Sequence, residues 1–263
     1  MNVIYALIVT IFLTTMTPPP PQTPTPTPAP ATEIAVFSSP DVYTDEALQA
    51  AAEVVEQRLE ALDVEYVSVS VEDGGDGAMA IQLEIVPEHL TARVVELLTQ
   101  PGYLELVDTS ALGSSVENVG AHIWTTGQAA RVDATLDEAP PEGALLNPET
   151  ERPFKTILDG MEITDAKAIA DANGGSWIVE ITLSEDGSAV MEDYTAGHVG
   201  EPLAILIDGK MLTMPVIQST VSSPIWLQGN FTETEARELA AQLASGPLPI
   251  TLEFTSLQSA LDE

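Results

Sequence analysis

The sequence predicts an α+β protein built on a ferredoxin-like βαββαβ unit. Three features indicate this class: apolar residues recur at helical spacing in some segments, alternate at strand spacing in others, and Gly-rich turns separate the two kinds. The 263 residues are 44% hydrophobic, which is enough apolar material for one large domain or two small ones.

The first 31 residues are predicted to lie outside the folded domain. Residues 1–16 contain an apolar run shorter than the roughly 20 residues that span a bilayer comfortably, and both a cleaved signal peptide and an uncleaved membrane anchor fit it. Residues 17–31 are rich in Pro and Thr and are expected to form an extended polyproline II linker. Either assignment predicts an extracytoplasmic protein in the cell envelope, anchored or secreted, whose membrane contact is its N-terminal segment only.

The ferredoxin-like unit is predicted within about the next 75 residues. Its first helix has Thr44 as a candidate N-cap, followed by Leu48 and further apolar residues at helical spacing. The Gly-rich turn at 74–77 separates two alternating segments and indicates a hairpin. The predicted order is strand 34–37, helix 45–62, strands 66–71 and 79–85, helix 88–99 and strand 103–107.

The second half of the chain is predicted to add a further α+β region. Residues 109–155 show weak periodicity, with a turn at 140–143. Asp208-Gly209 between two apolar runs predicts a hairpin, and Thr232 with Glu235 forms a capping box that begins a helix ending near Ala244. The other predicted elements are strand 177–183, helix 186–195, strands 203–207 and 211–216, and a last strand at 248–254.

The charge balance excludes several classes of function. The chain has 41 Asp+Glu against 8 Lys+Arg, a net charge of -33, and no basic stripe, which excludes nucleic-acid binding. We interpret the acidity as a solubility feature, with cation binding or attraction of basic partners as the alternative. No cysteine is present, the three histidines are far apart, and the acidic turns at 72–77 and 184–188 lack the ligand spacing of a calcium loop. We therefore expect no metal and no cofactor.

Enzymatic chemistry is also not expected. The sequence has no Gly-x-Ser-x-Gly motif, no cysteine, and no histidine near a candidate serine nucleophile. Adjacent carboxylates are numerous because acidic residues are numerous, and those at helix starts are explained by the helix dipole. The sequence therefore indicates a non-enzymatic protein without catalytic residues.

Two long segments resemble the first extracytoplasmic domain of the SecD family. They read VEITLSEDGSAVMEDYTAGHVGEPLAILIDGKMLTMPVIQSTV (179–221) and LQGNFTETEARELAAQLASGPLPITLEF (227–254). Shorter matches upstream are AAEVVEQRLEALDVEYVSVSV (51–71), AIQLE (80–84), PGYLELVD (101–108) and ILDGMEITDAKA (157–168). The matches occur in order over residues 45–256, which makes convergence by chance an inadequate explanation.

The resemblance implies a two-part organisation. A ferredoxin-like base would comprise residues 32–108 and 229–256, and a head subdomain of α+β structure would be inserted at 109–228. The sequence departs from the family in having no Asp-Leu-x-Gly-Gly motif after Ala31 and no second hydrophobic span up to Glu263. The resemblance therefore implies the fold and contact with an exported chain, but not movement driven by a proton gradient, which needs ionisable groups in the membrane.

Two tryptophans are the candidate binding residues. Trp124 lies in the weakly periodic segment and Trp226 lies just before the last predicted helix. Either side chain can serve as an exposed anchor for an unfolded polypeptide, because aromatic side chains dominate such contacts. Packing in the core is the competing interpretation for both residues.

The expected function is that of an accessory polypeptide-binding module in protein export across the membrane, acting by edge-strand pairing and apolar contact. The expected partners are exported or unfolded polypeptide and translocon or SecF-like subunits, with no proton-driven translocase activity of its own. A surface-displayed scaffold or interaction module that reuses the same fold is the alternative, because a fold alone does not fix a function.

Overall fold

The computed structural model describes residues 31–74, 78–113, 118–132, 140–171 and 175–259. The predicted signal or anchor segment and all but the last residue of the Pro/Thr-rich linker lie outside these ranges, as do three residues of the turn at 74–77. Within the described ranges, no helix combines the length and the apolar character needed to cross a membrane.

Eleven strands and five α-helices are found in the described part of the chain. The strands are β1 (Glu33–Ser38), β2 (Ser68–Asp73), β3 (Met79–Ile85), β4 (Leu104–Asp108), β5 (Thr156–Asp159), β6 (Ile163–Ala170), β7 (Trp177–Leu183), β8 (Leu203–Ile207), β9 (Lys210–Thr213), β10 (Ile225–Phe231) and β11 (Glu253–Ser259). The helices are α1 (Asp45–Ala61), α2 (Ala92–Thr99), α3 (Thr126–Arg131), α4 (Glu185–Gly197) and α5 (Glu233–Ala244).

A four-stranded antiparallel sheet, in the order β11-β1-β3-β2, forms the first part of the fold. Helices α1 and α2 pack on one face of it, and their apolar side chains share one core with alternate residues of β1 and β3. We call this sheet with α1 and α2 the base. The predicted α+β class and the ferredoxin-like base are confirmed.

The remaining elements, from β4 to α5, form what we call the head. It contains the three-stranded sheet β10-β7-β6 and the four-stranded sheet β5-β4-β8-β9. Helix α5 packs on β6 and β7, while α4 lies against β5 and β7. The largest core cluster of the molecule joins these two sheets with α4 and α5.

One predicted strand belongs to a different sheet from the one expected. The strand predicted at 103–107 is β4, but it pairs with β5 and β8 in the head rather than completing the base sheet. The first four residues of β4 are buried on both faces of the strand, which requires a sheet that is covered on both sides. Strand β11, which is mostly exposed, occupies the open edge of the base sheet instead.

The last strand begins later than predicted. The sequence places it at 248–254, whereas β11 runs from Glu253 to Ser259. Pro249 has no N–H to donate to a ladder, and Leu248 and Leu252 are buried in the base core as irregular backbone. The head core begins at Leu104 and the base core resumes at Leu248, and the domain boundaries at 108 and 229 stay a prediction.

Several local predictions are confirmed. Thr44 caps α1, and Thr232 and Glu235 form the reciprocal capping box of α5. Strand β8 has the predicted bounds, and Asp208 and Gly209 both adopt positive φ in the turn that follows it. The predicted helix at 88–99 is divided into a 3-10 turn at Pro87–His89 and α2, which Thr91 caps.

Candidate functional site

An apolar cleft of about 460 Å³ lies between the two sheets of the head. One wall is formed by β4 and β8, and the other by β7 and β10. All four strands contribute branched aliphatic side chains, namely Leu104, Leu106, Ile181, Leu203, Ile205, Ile225 and Leu227. These side chains also belong to the main core of the head, so the cleft is an opening into that core.

The rear of the cleft is held by hydrogen bonds between α4 and the loop at 214–224. The Thr195 hydroxyl donates to the Met191 carbonyl oxygen at 2.7 Å and accepts from the Val221 N–H at 2.9 Å. Further along the loop, the Ser223 N–H donates to Ser188 Oγ at 3.1 Å. Val221 lines the cleft beside Thr195, so these bonds fix the position of an apolar side chain at its rear.

Strand β10 borders the cleft with an open edge. Among the described strands it pairs only with β7, so its other edge carries backbone groups available for a further strand. The strand reads IWLQGNF and has no charged residue. Natural edge strands are commonly protected by charge, so an uncharged open edge beside an apolar cleft is suited to pairing with another chain.

Trp226 lies on β10 and is 58% exposed. Its indole Nε1–H donates to Glu180 Oε2 at 3.0 Å, and Glu180 is the residue opposite it on β7. Ile225 and Leu227, its neighbours in the strand, are buried in the core, so Trp226 points to the solvent face. The hydrogen bond holds this large ring on the solvent face of the sheet, while Trp226 as a residue borders the cleft.

Trp124 occupies a different environment, because it is 6% exposed. Its backbone N–H donates to the Leu145 carbonyl oxygen at 2.9 Å, and its backbone carbonyl oxygen accepts from the Phe154 N–H at 2.8 Å. A polypeptide cannot contact this side chain unless the head opens. Of the two candidate binding residues, the structure therefore brings only Trp226 to the cleft.

A second, polar depression of about 340 Å³ lies near α3 and β5. Beside it, the fully buried Glu105 accepts hydrogen bonds from the hydroxyls of Thr125 and Thr156 at 2.6 and 2.8 Å, and from Gln128 at 3.1 Å. These bonds attach α3 to β4 and β5. In the ranges that the structure describes, no three His, Asp or Glu side chains are grouped so that they could hold a metal ion.

Residues 135–250 match the family model described as SecDF, P1 head subdomain. The chain is 28% identical over 215 residues to the protein translocase subunit SecDF of Thermus thermophilus, which covers 81% of this chain and 28% of the relative. It is 28% identical over 214 residues to the protein translocase subunit SecD of Koribacter versatilis, with 80% of this chain and 38% of the relative covered. The chain thus spans well under half the length of these relatives.

Two solved structures have the same fold. A crystal structure of SecDF in a super-membrane-facing form has a TM-score of 0.63 and 26% identity, covering 86% of this chain and 30% of that one. A structure of a membrane component SecDF that enhances protein export has a TM-score of 0.59 and 26% identity, covering 85% of this chain and 98% of that one. The resemblance inferred from the sequence is confirmed.

Proposed function

This chain carries a SecD-type P1 head domain, and from that premise we propose that it is an accessory polypeptide-binding module in protein export. The head binds an extended segment of an exported or unfolded chain, without catalysis and without proton-driven movement of its own. The protein acts outside the cytoplasm, beside translocon or SecF-like subunits, and needs neither nucleic acid nor a cofactor.

The observation that carries this proposal is the apolar cleft bordered by the uncharged open edge of β10. An extended polypeptide can pair its backbone with this edge while alternate side chains enter the cleft. Trp226, fixed by Glu180, supplies an aromatic contact at the rim. Apolar contact and backbone pairing do not depend on a particular sequence, as binding to many exported chains requires.

Charge further narrows the class of polypeptide. The chain has a net charge of -33, so basic unfolded segments should associate faster and bind more tightly than acidic ones. We expect this electrostatic share to weaken as salt rises, because screening shortens its range to about 8 Å at physiological ionic strength. Binding should be weak, since ordering a flexible segment offsets part of the contact energy.

The proposal is tested by fluorescence anisotropy with a labelled, permanently unfolded polypeptide and a folded protein of similar size. Val221→Phe should weaken binding of the unfolded chain at least fivefold, because the added ring occupies the rear of the cleft. Trp226→Ala should weaken it two- to fivefold. Val67→Phe is the matched control, since Val67 is exposed on the base and does not line the cleft, and this variant should bind as the unsubstituted protein does.

Two results would contradict the proposal. If Val221→Phe binds as well as the unsubstituted protein, the cleft is not the binding site. If the unsubstituted protein shows no preference for the unfolded chain at any salt concentration, polypeptide binding fails as a function, and the scaffold alternative replaces it.

The export role needs a test in cells. A photo-crosslinking residue at Gln218, which is exposed and lines the cleft, should capture chains in transit across the membrane. The same residue placed at Val67 should capture far fewer. Equal capture at both positions, or no capture at Gln218, would contradict the role in export, even if the protein binds unfolded polypeptide in solution.

A further inference from the structure

Two short segments connect the base with the head. The chain leaves the base after α2, through Gln100 and Pro101, and returns after α5, through Ser245 and Gly246. The segments lie side by side, because the Leu248 N–H of the returning segment donates to the Pro101 carbonyl oxygen at 2.8 Å. Any change in the orientation of the head relative to the base must alter the backbone at this crossing.

Arg58, in the last turn of α1, lies at the crossing with its side chain fully buried. Its guanidinium donates five hydrogen bonds, one to the last turn of α2, two to the outgoing connection and two to the returning connection. The acceptors are the carbonyl oxygens of Leu97 (2.9 Å), Gln100 (2.5 Å) and Pro101 (3.0 Å), then Ser245 Oγ (3.2 Å) and the Gly246 carbonyl oxygen (3.3 Å). One base side chain thus joins both connections.

The charge of Arg58 is compensated by helix ends. Leu97 lies in the last turn of α2, and the other acceptors follow the C-termini of α2 and α5, where the carbonyl groups of the last turn carry the negative end of the helix dipole. Burial lowers the pKa of Arg58 to about 10, while Asp208 opposes this shift. The guanidinium therefore stays charged at neutral pH and keeps its donors.

The backbone around Arg58 is shaped to admit the guanidinium. Gly102 has a φ of 74°, and a Cβ atom there would lie 2.7 Å from Nη2 of Arg58. Next to it, the Gln242 side chain of α5 donates to the side-chain oxygen of Gln100. A lysine ammonium is a single point charge and cannot reach acceptors on both sides as the planar fork does.

We propose that Arg58 is a buried clasp that fixes the orientation of the head on the base, so that the head can turn only when its hydrogen bonds to the two connections open. This inference does not depend on polypeptide binding. It also differs from a merely structural role, because it predicts a change in the distance between base and head while both stay folded.

Spin-label distance measurements test the clasp, and the absence of native cysteine makes labelling simple. Labels at Glu53→Cys in α1 and Glu192→Cys in α4 report the base-to-head distance, since both residues are exposed. We expect one narrow distance distribution, a broadened or two-peaked one in Arg58→Gln and Arg58→Lys, and no change in Arg237→Gln. Arg237 is a matched control because its ion pair with Glu233 lies within α5. A folded Arg58→Gln protein with an unchanged distribution would overturn the proposal.

Ser245→Ala decides the matter if the Arg58 variants fail to fold, because it removes only the acceptor of the Arg58 Nε–H and the bonds of one hydroxyl. By hydrogen exchange, the Leu248 amide should exchange at least fivefold faster, while amides of the β2–β3 hairpin keep their rates. Equal acceleration of both sets would indicate general destabilisation and overturn the clasp, as would no acceleration at Leu248.

Discussion

The base and the head are both α+β layers, but they enclose their apolar side chains differently. In the base, Phe37, Leu48, Leu59 and Ile81 are each 0% exposed in the core between α1 and the sheet. In the head, the main core opens into the cleft between β4/β8 and β7/β10. The base core is thus made of fully buried side chains, whereas the core of the head borders a cleft.

The largest expected effect concerns matched leucines in the two cores. Leu59→Ala in the closed base core should lower the free energy of unfolding by about 4 kcal/mol, because the cavity has no route to water. Leu203→Ala in the cleft wall should cost about 2 kcal/mol, because the wall already faces open space on one side. Urea denaturation of both variants measures the difference, and equal losses would remove the distinction between a closed and an open core.

The helix caps provide a second, smaller comparison. Thr232→Ala removes a capping box in the head and should cost about 1.5 kcal/mol, whereas Thr44→Ala removes one side-chain bond in the base and should cost about 0.7 kcal/mol. Thermal unfolding followed by circular dichroism measures both. If Thr44→Ala lowers the free energy of unfolding more than Thr232→Ala does, the capping box does not stabilise its helix more than the single capping bond, contrary to this prediction.

Trp226 and Trp124 provide an exposed and a buried tryptophan whose contributions to stability can be compared. Trp226→Phe removes the hydrogen bond to Glu180 but keeps an aromatic ring, and we expect it to change stability by less than about 0.5 kcal/mol because the residue is largely exposed. Trp124→Phe is the buried counterpart and should cost more. Similar small changes for both would contradict the different burial of the two rings.

The smallest expected effect is the pH dependence of the α5 cap. Hydrogen bonds from the backbone N–H and hydroxyl of Thr232 lower the pKa of Glu235. The resulting stability is present above the unfolded-state value of about 4.3 and is lost as the pH falls through the lower folded-state pKa. In thermal unfolding, Glu235→Gln should therefore have a slightly lower melting temperature than the unsubstituted protein at pH 7. At pH 2 the two melting temperatures should be equal. A difference that persists at pH 2 would contradict this cause.

Local elements were predictable from the sequence, because their signals lie within a few residues. The capping box at Thr232, the Asp208-Gly209 turn and the alternation of β3 each determine one element. Strand β6 was missed because it is rich in alanine, and Ala166 and Ala168 show no strong alternation. These small side chains are required by the close packing of α5 on β6, which only the tertiary structure reveals.

The candidate site was much less predictable than the fold. Its lining comes from segments as far apart as Leu104 and Leu227, so no local pattern indicates that they share a cleft. Both tryptophans were named from the sequence, yet Trp124 is buried and Trp226 is exposed, because exposure depends on which sheet face the neighbours cover. The Arg58 clasp gave no sequence signal, since its acceptors are mainly backbone carbonyl groups.

The pairing of β1 with β11 has a consequence for the order of folding. In the base sheet, Glu33 lies opposite Ser259, so the first and last described strands are neighbours. During synthesis, which starts at the N-terminus, the elements from β1 to α2 are made long before β11. Pairing β1 with β11 closes a loop of more than 200 residues, and closing so long a loop is slow. Meanwhile β4 to α5 are contiguous in the chain and can fold first. We therefore expect the base to complete its sheet only after the head has folded.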